Sequence, residues 1–360
     1  MKAGVSRYTQ IERILHDLAF SSWFPRVPVS QIESVLFKDQ LAAVSVEGPV
    51  FITALPRAGT TLLLELCVDT REFASHRYRD MPFLLTPLLW NRYSKNFRKS
   101  GTKTERVHGD GILVNADSPD AFEEIIWKEF WPSYYKKEKI LSWTKASFPV
   151  FEEFFRDHMR KIILLRGSED KKTRYVSKNN LNIARVGYLA STFPDATILI
   201  LFRSPLQHAA SLLKQHRNFI RIHEEDNFAQ KYMHDTGHFD FGKNFRPINF
   251  NGWLSRDITS DSNTISFWLQ YWINAYGYLI NDTHDQVRFY SYDSLCDDPQ
   301  NGLERLGRIL DVEDAGPLMK NVDRITTPRP HPVDTGAITS NMLDRAQKIY
   351  LALQKTVSPN

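Results

Sequence analysis

Only two cysteines, Cys67 and Cys296, occur in the 360 residues. That is too few for a disulfide framework or a cysteine-rich metal centre, and they read as two buried thiols. No apolar run approaches the ~20 residues a membrane span requires. An excess of one charge is also lacking: 46 Lys and Arg against 42 Asp and Glu leave a net charge of +4. With no basic stripe interleaved with aromatics, nucleic acid is not expected as a partner, while a mildly positive cleft for a polyanionic ligand accounts for the balance. The N-terminus, MKAGVSRYTQIERILHDLAF, places apolar residues at helical spacing between charges. It reads as an amphipathic helix and not a secretory signal, so the expected location is cytoplasmic.

What is present is an ordinary globular composition, 42% hydrophobic and 24% charged, long enough to bury an ample core. One domain spanning residues 1–360 is expected. Two amphipathic helices within residues 1–48, the second capped by Ser30, form an N-terminal cover. Residues 218–262, rich in Phe and carrying His223, His234 and His238, read as a long irregular insertion, a lid or acceptor-specificity element. The His spacing fits no metal pattern, and no metal is expected. Residues 311–360 read as an extended Pro-rich segment followed by a helix. Apolar strands near 50–55, 174–177, 197–202 and 287–292, alternating with helices, indicate a three-layer α/β/α fold with a mainly parallel sheet.

The chain is organised around residues 49–64, PVFITALPRAGTTLLL. A buried strand feeds a glycine-containing turn that ends at a helix N-terminus. There the turn's N–H groups and the unpaired helical N–H groups point at one spot, where an anion should sit. The turn departs from the phosphate loop G-x-x-x-x-G-K-[ST], because Ala54 replaces the first Gly and Thr60 replaces the Lys. The cation lies inside the turn, at Arg57. Arg57, the Gly59 amide and the Thr60 and Thr61 hydroxyls can hold phosphate oxygens, but the Lys that bridges a transferable terminal phosphate is gone. This argues against ordinary ATP chemistry.

A second motif lies about 140 residues on, in TILILFRSPLQHAAS. Its apolar strand ends at Arg203, Ser204-Pro205 opens a helix running to about residue 217, and Ser211 stands eight residues after the Arg. Arg203 and Ser211 can converge on one phosphate, the Arg as a bidentate charge and the Ser as a hydroxyl donor. Lys178 directly follows the short strand 174–177, at the carboxyl edge where α/β sheets bind ligands. A helix is expected over 119–131, with Glu123 and Glu124 as solvated residues of its first turns. The polar turn before it, H-G-D-G, carries His108, which is either a base near pH 7 or a solvated surface imidazole.

Pro56–Leu62 resembles, at every position, the 5′-phosphosulfate loop P-[KR]-[SA]-G-T-T-[LW] of the sulfotransferases that use 3′-phosphoadenosine 5′-phosphosulfate (PAPS), in the bacterial and tyrosylprotein type. The Arg203, Pro205 and Ser211 spacing is similar to the family's 3′-phosphate site. The resemblance covers roughly residues 49–310 and implies the P-loop-like sulfotransferase fold. It also implies in-line transfer of a sulfuryl group from PAPS to a hydroxyl or amine of a small-molecule, lipid or carbohydrate acceptor, leaving 3′,5′-diphosphoadenosine (PAP). Arg57, Ala58, Gly59, Thr60, Thr61 and Leu62 would hold the 5′ side, Arg203 and Ser211 the 3′-phosphate, and Lys178 the oxygens at the moment of transfer. Tyr292, in the place of the family's Y-E-D-L tyrosine, would touch the adenine edge. Arg329 is a candidate for the late basic loop, although the usual Gly-x-x-Gly-x-W-K form is absent. Asp80, 23 residues beyond Arg57 in RYRDMP, is either the acceptor-activating carboxylate or a helix cap, and His108 is the other candidate base. A degenerate P-loop kinase and a non-catalytic nucleotide-binding module are the alternatives.

Overall fold

The computed structural model describes residues 9–94, 104–105, 113–143, 147–167, 172–256, 261–282, 284–336 and 338–357. Its central sheet is built from β1 (Val50–Thr53), β2 (Phe73–Ala74), β3 (Arg174–Lys178), β4 (Thr197–Phe202) and β5 (Val287–Ser291). Their order is β2-β3-β1-β4-β5, and every neighbouring pair is parallel. The short edge strand β2 escapes the sequence pattern because two residues carry no periodicity. A separate antiparallel ribbon pairs Thr104–Glu105 with Leu113–Val114.

The strands read as unbroken apolar runs because both faces of the sheet are covered. Alternate residues serve opposite sides. Val50, Ile52, Leu199 and Leu201 join one core, with Leu63, Leu64 and Leu66. Phe51, Ile198, Ile200 and Phe202 join the other, with Phe155, Trp272 and Tyr276. The result is the expected α/β/α layering, in which each fully buried Leu, Ile or Phe contributes about 2 kcal/mol of transfer free energy.

Helices α1 (Gln10–Ala19) and α2 (Arg26–Leu36) precede the sheet. Thr9 and Glu12 form a capping box on α1, whereas Ser30 lies inside α2 and donates its hydroxyl to Leu85 O at 2.6 Å. Ser30 is therefore a tether and not the expected cap. Helix α3 (Thr60–Asp69) follows β1, and α4 (Glu124–Phe130) and α5 (Pro149–Arg166) come before β3. Helix α4 starts later than expected because Pro119 is held in a bridge with Arg77 and Asp120 turns its carboxylate onto the Ala121 amide.

After β4 comes α6 (Pro205–Glu225), which continues eight residues past its expected end. Asp226 caps α7 (Asn227–Asp235) directly after it. Much of the expected irregular insertion is thus helical. Helices α8 (Ile265–Leu279), α9 (Tyr292–Asp297), α10 (Pro299–Leu310) and α11 (Ser340–Val357) complete the layers.

The registers Ile52↔Lys178, Thr53↔Ile200 and Phe202↔Ser291 bring the carboxyl ends of β1, β3, β4 and β5 to one edge of the sheet. The chain moves to one side of β1 for β2 and β3, then crosses to the other for β4. Loops leaving β1 and β4 therefore open a crevice at that edge.

Candidate active site

The turn between β1 and α3 folds back on itself through two left-handed residues, Arg57 at φ 71° and Gly59 at φ 91°. A side chain at positive φ costs on the order of 1 kcal/mol, and such strain persists where the surroundings over-determine it. Here Arg203 Nη1 donates to the Arg57 carbonyl oxygen at 2.9 Å. Gly59 is dictated by contact as well as by φ, since a Cβ there would lie 2.2 Å from Cδ2 of Tyr292. The Tyr292 ring thus packs directly against the turn, and the Arg203 guanidinium lies 5.5 Å from its centroid. Thr60 and Thr61 are buried in the first turn of α3, while Ala58 faces the hydrophobic core.

Arg203 ends its strand almost buried, and its Nε makes no hydrogen bond among the described residues. The nearest carboxylate oxygen, Asp293 Oδ1, stands 3.9 Å away. An orphaned guanidinium nitrogen beside a positive-φ turn is the feature an anion would satisfy. Asp293 is otherwise occupied, accepting from the Ser204 amide at 2.6 Å and from the Tyr350 hydroxyl at 3.0 Å. One turn into α6, His208 places Nε2 2.7 Å from Pro56 O. Burial, with the Arg203 charge adding to it, pushes this imidazole down to about 3, so it is a neutral donor.

These parts enclose one cavity of about 480 Å³. Arg57, Gly59, Thr60, Thr61, Leu62, Lys178, Arg203, Ser211, Tyr292 and Arg329 all line it. Lys178 is the last residue of β3 and is buried, with Nζ 3.9 Å from Asp120 Oδ1. Arg329 comes from the extended segment, which Gln207 clamps by accepting from the His331 amide at 2.7 Å and donating to its carbonyl at 3.2 Å. Among the described residues, no three His, Cys, Asp or Glu side chains gather where they could hold a metal ion.

A family model described as the sulfotransferase family matches residues 49–238, more than half of the chain. The chain belongs to the sulfotransferase family. Comparison with curated proteins finds no match. Among solved structures the chain is similar to a sulfotransferase from Mycobacterium tuberculosis, at 14% identity over 89% of this chain and 81% of that chain with a TM-score of 0.47. It is similar to one from Mycobacterium avium, at 14% identity over 99% and 92% with a TM-score of 0.46. A third similar structure is retinol dehydratase in complex with retinol and PAP, at 12% identity over 97% and 95% with a TM-score of 0.29. Arg57, Lys178, Arg203 and Ser211 lie within the family match, and Tyr292 and Arg329 lie beyond it.

Of the two expected bases, Asp80 is not among the residues that line the cavity. Asp80 is 2% exposed and stands outside the cavity wall. It is ion-paired with Arg166 and accepts from the Arg77 amide at 2.8 Å, closing the short turn Tyr78–Asp80. Burial raises its pKa against the opposing pull of Arg166. Of the two readings of RYRDMP, this geometry matches the cap. His108 lies outside the described residues.

Glu123 and Glu124, expected to be solvated, are buried beneath the site. Glu123 accepts from Trp127 Nε1 at 2.9 Å, Asn182 Nδ2 at 3.1 Å and the Tyr175 hydroxyl at 3.1 Å. Glu124 accepts from Asn179 Nδ2 at 2.7 Å and Arg185 Nη2 at 2.5 Å, and Arg185 lies 4.2 and 4.4 Å from the Trp127 and Trp143 ring centroids. This network fixes the turn after Lys178, where the chain departs from the family's usual x-Pro, with Asn182 Oδ1 and Arg185 Nη1 left without hydrogen bonds among the described residues. Sequence reasoning also missed Asn180, Phe219, Met233, Asp240 and Phe241 as cavity residues. Asn180, adjacent to Lys178 in K-N-N, was the one with a signal, being a polar residue at the carboxyl edge.

Proposed function

We propose that the sulfotransferase takes a sulfuryl group from PAPS and passes it to the hydroxyl of an acceptor by in-line transfer. The observation that carries this reading is the contact between Arg203 and the Arg57 carbonyl. It unites a 5′-side turn and a strand-end Arg in one cavity, with Ser211 on the same wall. A nucleotide with charged groups at both its 5′ and 3′ positions suits that pair, and the orphaned Arg203 Nε gives the 3′-phosphate a donor.

Bound there, PAPS supplies the sulfuryl group and a phosphate leaving group. The turn amides and Arg57 hold the 5′ end, and Thr60 and Thr61 add hydroxyl donors at the helix N-terminus. Lys178 faces the charge that develops on the departing oxygen. Such preorganised donors in a water-poor cavity are each worth roughly 3 kcal/mol of transition-state stabilisation. Tyr292 offers an aromatic face to the base, and Arg329 closes the cavity from the extended segment.

Calorimetry with PAP and ATP tests the reading. PAP is expected to bind the full chain well over tenfold more tightly, because only PAP engages Arg203 and Ser211 at the 3′ position. Arg57→Ala is expected to abolish PAP retention. Equal or tighter binding of ATP would favour a degenerate kinase, and undiminished PAP binding by Arg57→Ala would sink the assignment.

A further inference from the structure

Past the anion-binding turn, the cavity ends on residues contributed by α6, α7 and the segment after them, and this wall has one carboxylate. Asp240 Oδ2 accepts from Asn180 Nδ2 at 3.1 Å, while Asn180 Oδ1 accepts from the Thr60 hydroxyl at 3.4 Å. One amide therefore joins the first residue of α3 to Asp240, so the carboxylate stands two hydrogen bonds from the turn. Among the described residues Asp240 Oδ1 takes no hydrogen bond, which leaves it an acceptor for a ligand hydroxyl. Burial raises the Asp240 carboxyl, and Lys178 opposes that shift. The groups facing it are Lys178 from β3, His238 from its own segment and Tyr271 from α8.

The rest of this wall is apolar. Phe219 and Phe241 stack with centroids 5.9 Å apart and planes at 16°, and Met233 joins them along the cavity. A sugar would ask for several hydrogen-bonding partners, whereas these three side chains favour contact with hydrocarbon or an aromatic ring.

We propose that Asp240 is the general base of the transfer and that the acceptor is a hydrophobic alcohol or phenol whose apolar body lies on Phe219, Met233 and Phe241. The inference rests on the sulfotransferase reading above. As the acceptor oxygen forms its bond to sulfur, its proton passes to the Asp240 carboxylate. The bond between sulfur and the phosphate oxygen breaks, and its electron pair stays on the phosphate, which leaves as PAP. Asp240 then returns the proton to water. Nothing is oxidised or reduced.

The test uses the full chain with radiolabelled PAPS and three probe acceptors, 2-naphthol, 1-dodecanol and N-acetylglucosamine, together with PAP calorimetry. The wild type is expected to sulfate the first two and leave the sugar. Asp240→Asn is expected to lower kcat by about 10²–10⁴-fold with KM and PAP affinity changed less than about threefold, and to abolish the acid limb of the kcat/KM profile. Asp240→Glu should restore part of the rate and the limb.

Asp240→Asn with near-normal kcat overturns the proposal, as does His238→Gln removing the acid limb instead. So does transfer to the sugar alone, or to none of the three while PAP still binds. Failure of the wild type to bind PAP overturns the sulfotransferase reading itself and is a separate result.

Discussion

Arg203 Nη1 donates to the carbonyl oxygen of Arg57 across 2.9 Å, fastening the end of β4 to the turn after β1. The acceptor belongs to a residue held at φ 71°, so the bond helps keep the turn in a conformation an isolated peptide would leave. The same guanidinium keeps Nε without a hydrogen bond. One side chain thus shapes the turn and, on the proposed reading, presents a donor for the 3′-phosphate. Separating these two roles requires a variant that touches only one.

Ser211 provides it, because it lines the cavity from α6. Ser211→Ala is expected to weaken PAP binding on the order of tenfold to a hundredfold, the value of one hydrogen bond to a charged group, and to leave adenosine 5′-phosphosulfate, which has no 3′-phosphate, unaffected. Arg203→Ala should weaken both ligands, PAP by at least about tenfold, since it also releases the Arg57 carbonyl. Calorimetry with the two nucleotides separates the effects. An equal loss for both ligands in Ser211→Ala would remove the 3′-phosphate assignment.

The N-terminal helices are fastened to the core by a buried ion pair, Lys161 Nζ to Glu33 Oε2 at 3.1 Å, both side chains at most 1% exposed. Lys161 also donates to Ser30 O at 2.7 Å and to Ser30 Oγ at 2.9 Å, and Glu33 Oε1 accepts from the Leu89 amide at 2.7 Å. Glu33→Gln leaves a buried ammonium without its counter-charge and is expected to destabilise the chain by about 3–5 kcal/mol in urea unfolding. The double substitution Glu33→Leu with Lys161→Met is expected to recover most of that loss, because two charges no longer need to be desolvated. A Glu33→Gln variant within about 1 kcal/mol of wild type would show that Lys161 is compensated elsewhere.

The anion-binding half of the site was legible because it is written in short local segments. In Pro56–Leu62 and around Arg203, the residue types, the strand before them and the helix after them are contiguous, so spacing alone predicts convergence. On the opposite wall the segment 218–262 was legible as a lid or acceptor element, but its individual cavity residues were not. Asp240 reaches the cavity only because α6 runs eight residues past its expected end and α7 turns the chain back, and Asn180 links to it across 60 residues. Asp80 is the complementary case. Its spacing from Arg57 left chemistry and a cap both open, and its partner Arg166, 86 residues away in sequence, could not be read locally. Glu123 and Glu124 look solvated by helical position, and only their distant partners Tyr175, Asn179, Asn182 and Arg185 make their burial tolerable.

His208 gives the fold a pH dependence whose sign can be fixed. Its Nε2 lies 2.7 Å from Pro56 O and so carries the proton, the ring is fully buried, and desolvation, aided by the Arg203 charge, holds it down to about 3. An unfolded histidine titrates near ~6.5. Between these values the unfolded chain binds a proton that the folded chain does not. Lowering the pH therefore favours unfolding, by at most about 1.4 kcal/mol per pH unit. The contribution is complete above the unfolded value and drains away as the pH falls below it. Other buried imidazoles, such as His76 at about 3 and His216 and His223 at about 4, slope the same way. The carboxyls of Glu33, Asp80 and Glu124, raised by burial, slope oppositely. An absolute stability profile would mix all of these, whereas a difference between two proteins cancels every group they share. His208→Gln keeps an amide donor for Pro56 O and removes only the titration. In urea unfolding, the advantage of wild type over His208→Gln is expected to shrink by about 1.4 kcal/mol for each pH unit from ~6.5 toward ~4, and to stay constant above ~6.5. Parallel profiles for the two proteins would mean that His208 takes up a proton without leaving its place beneath the turn.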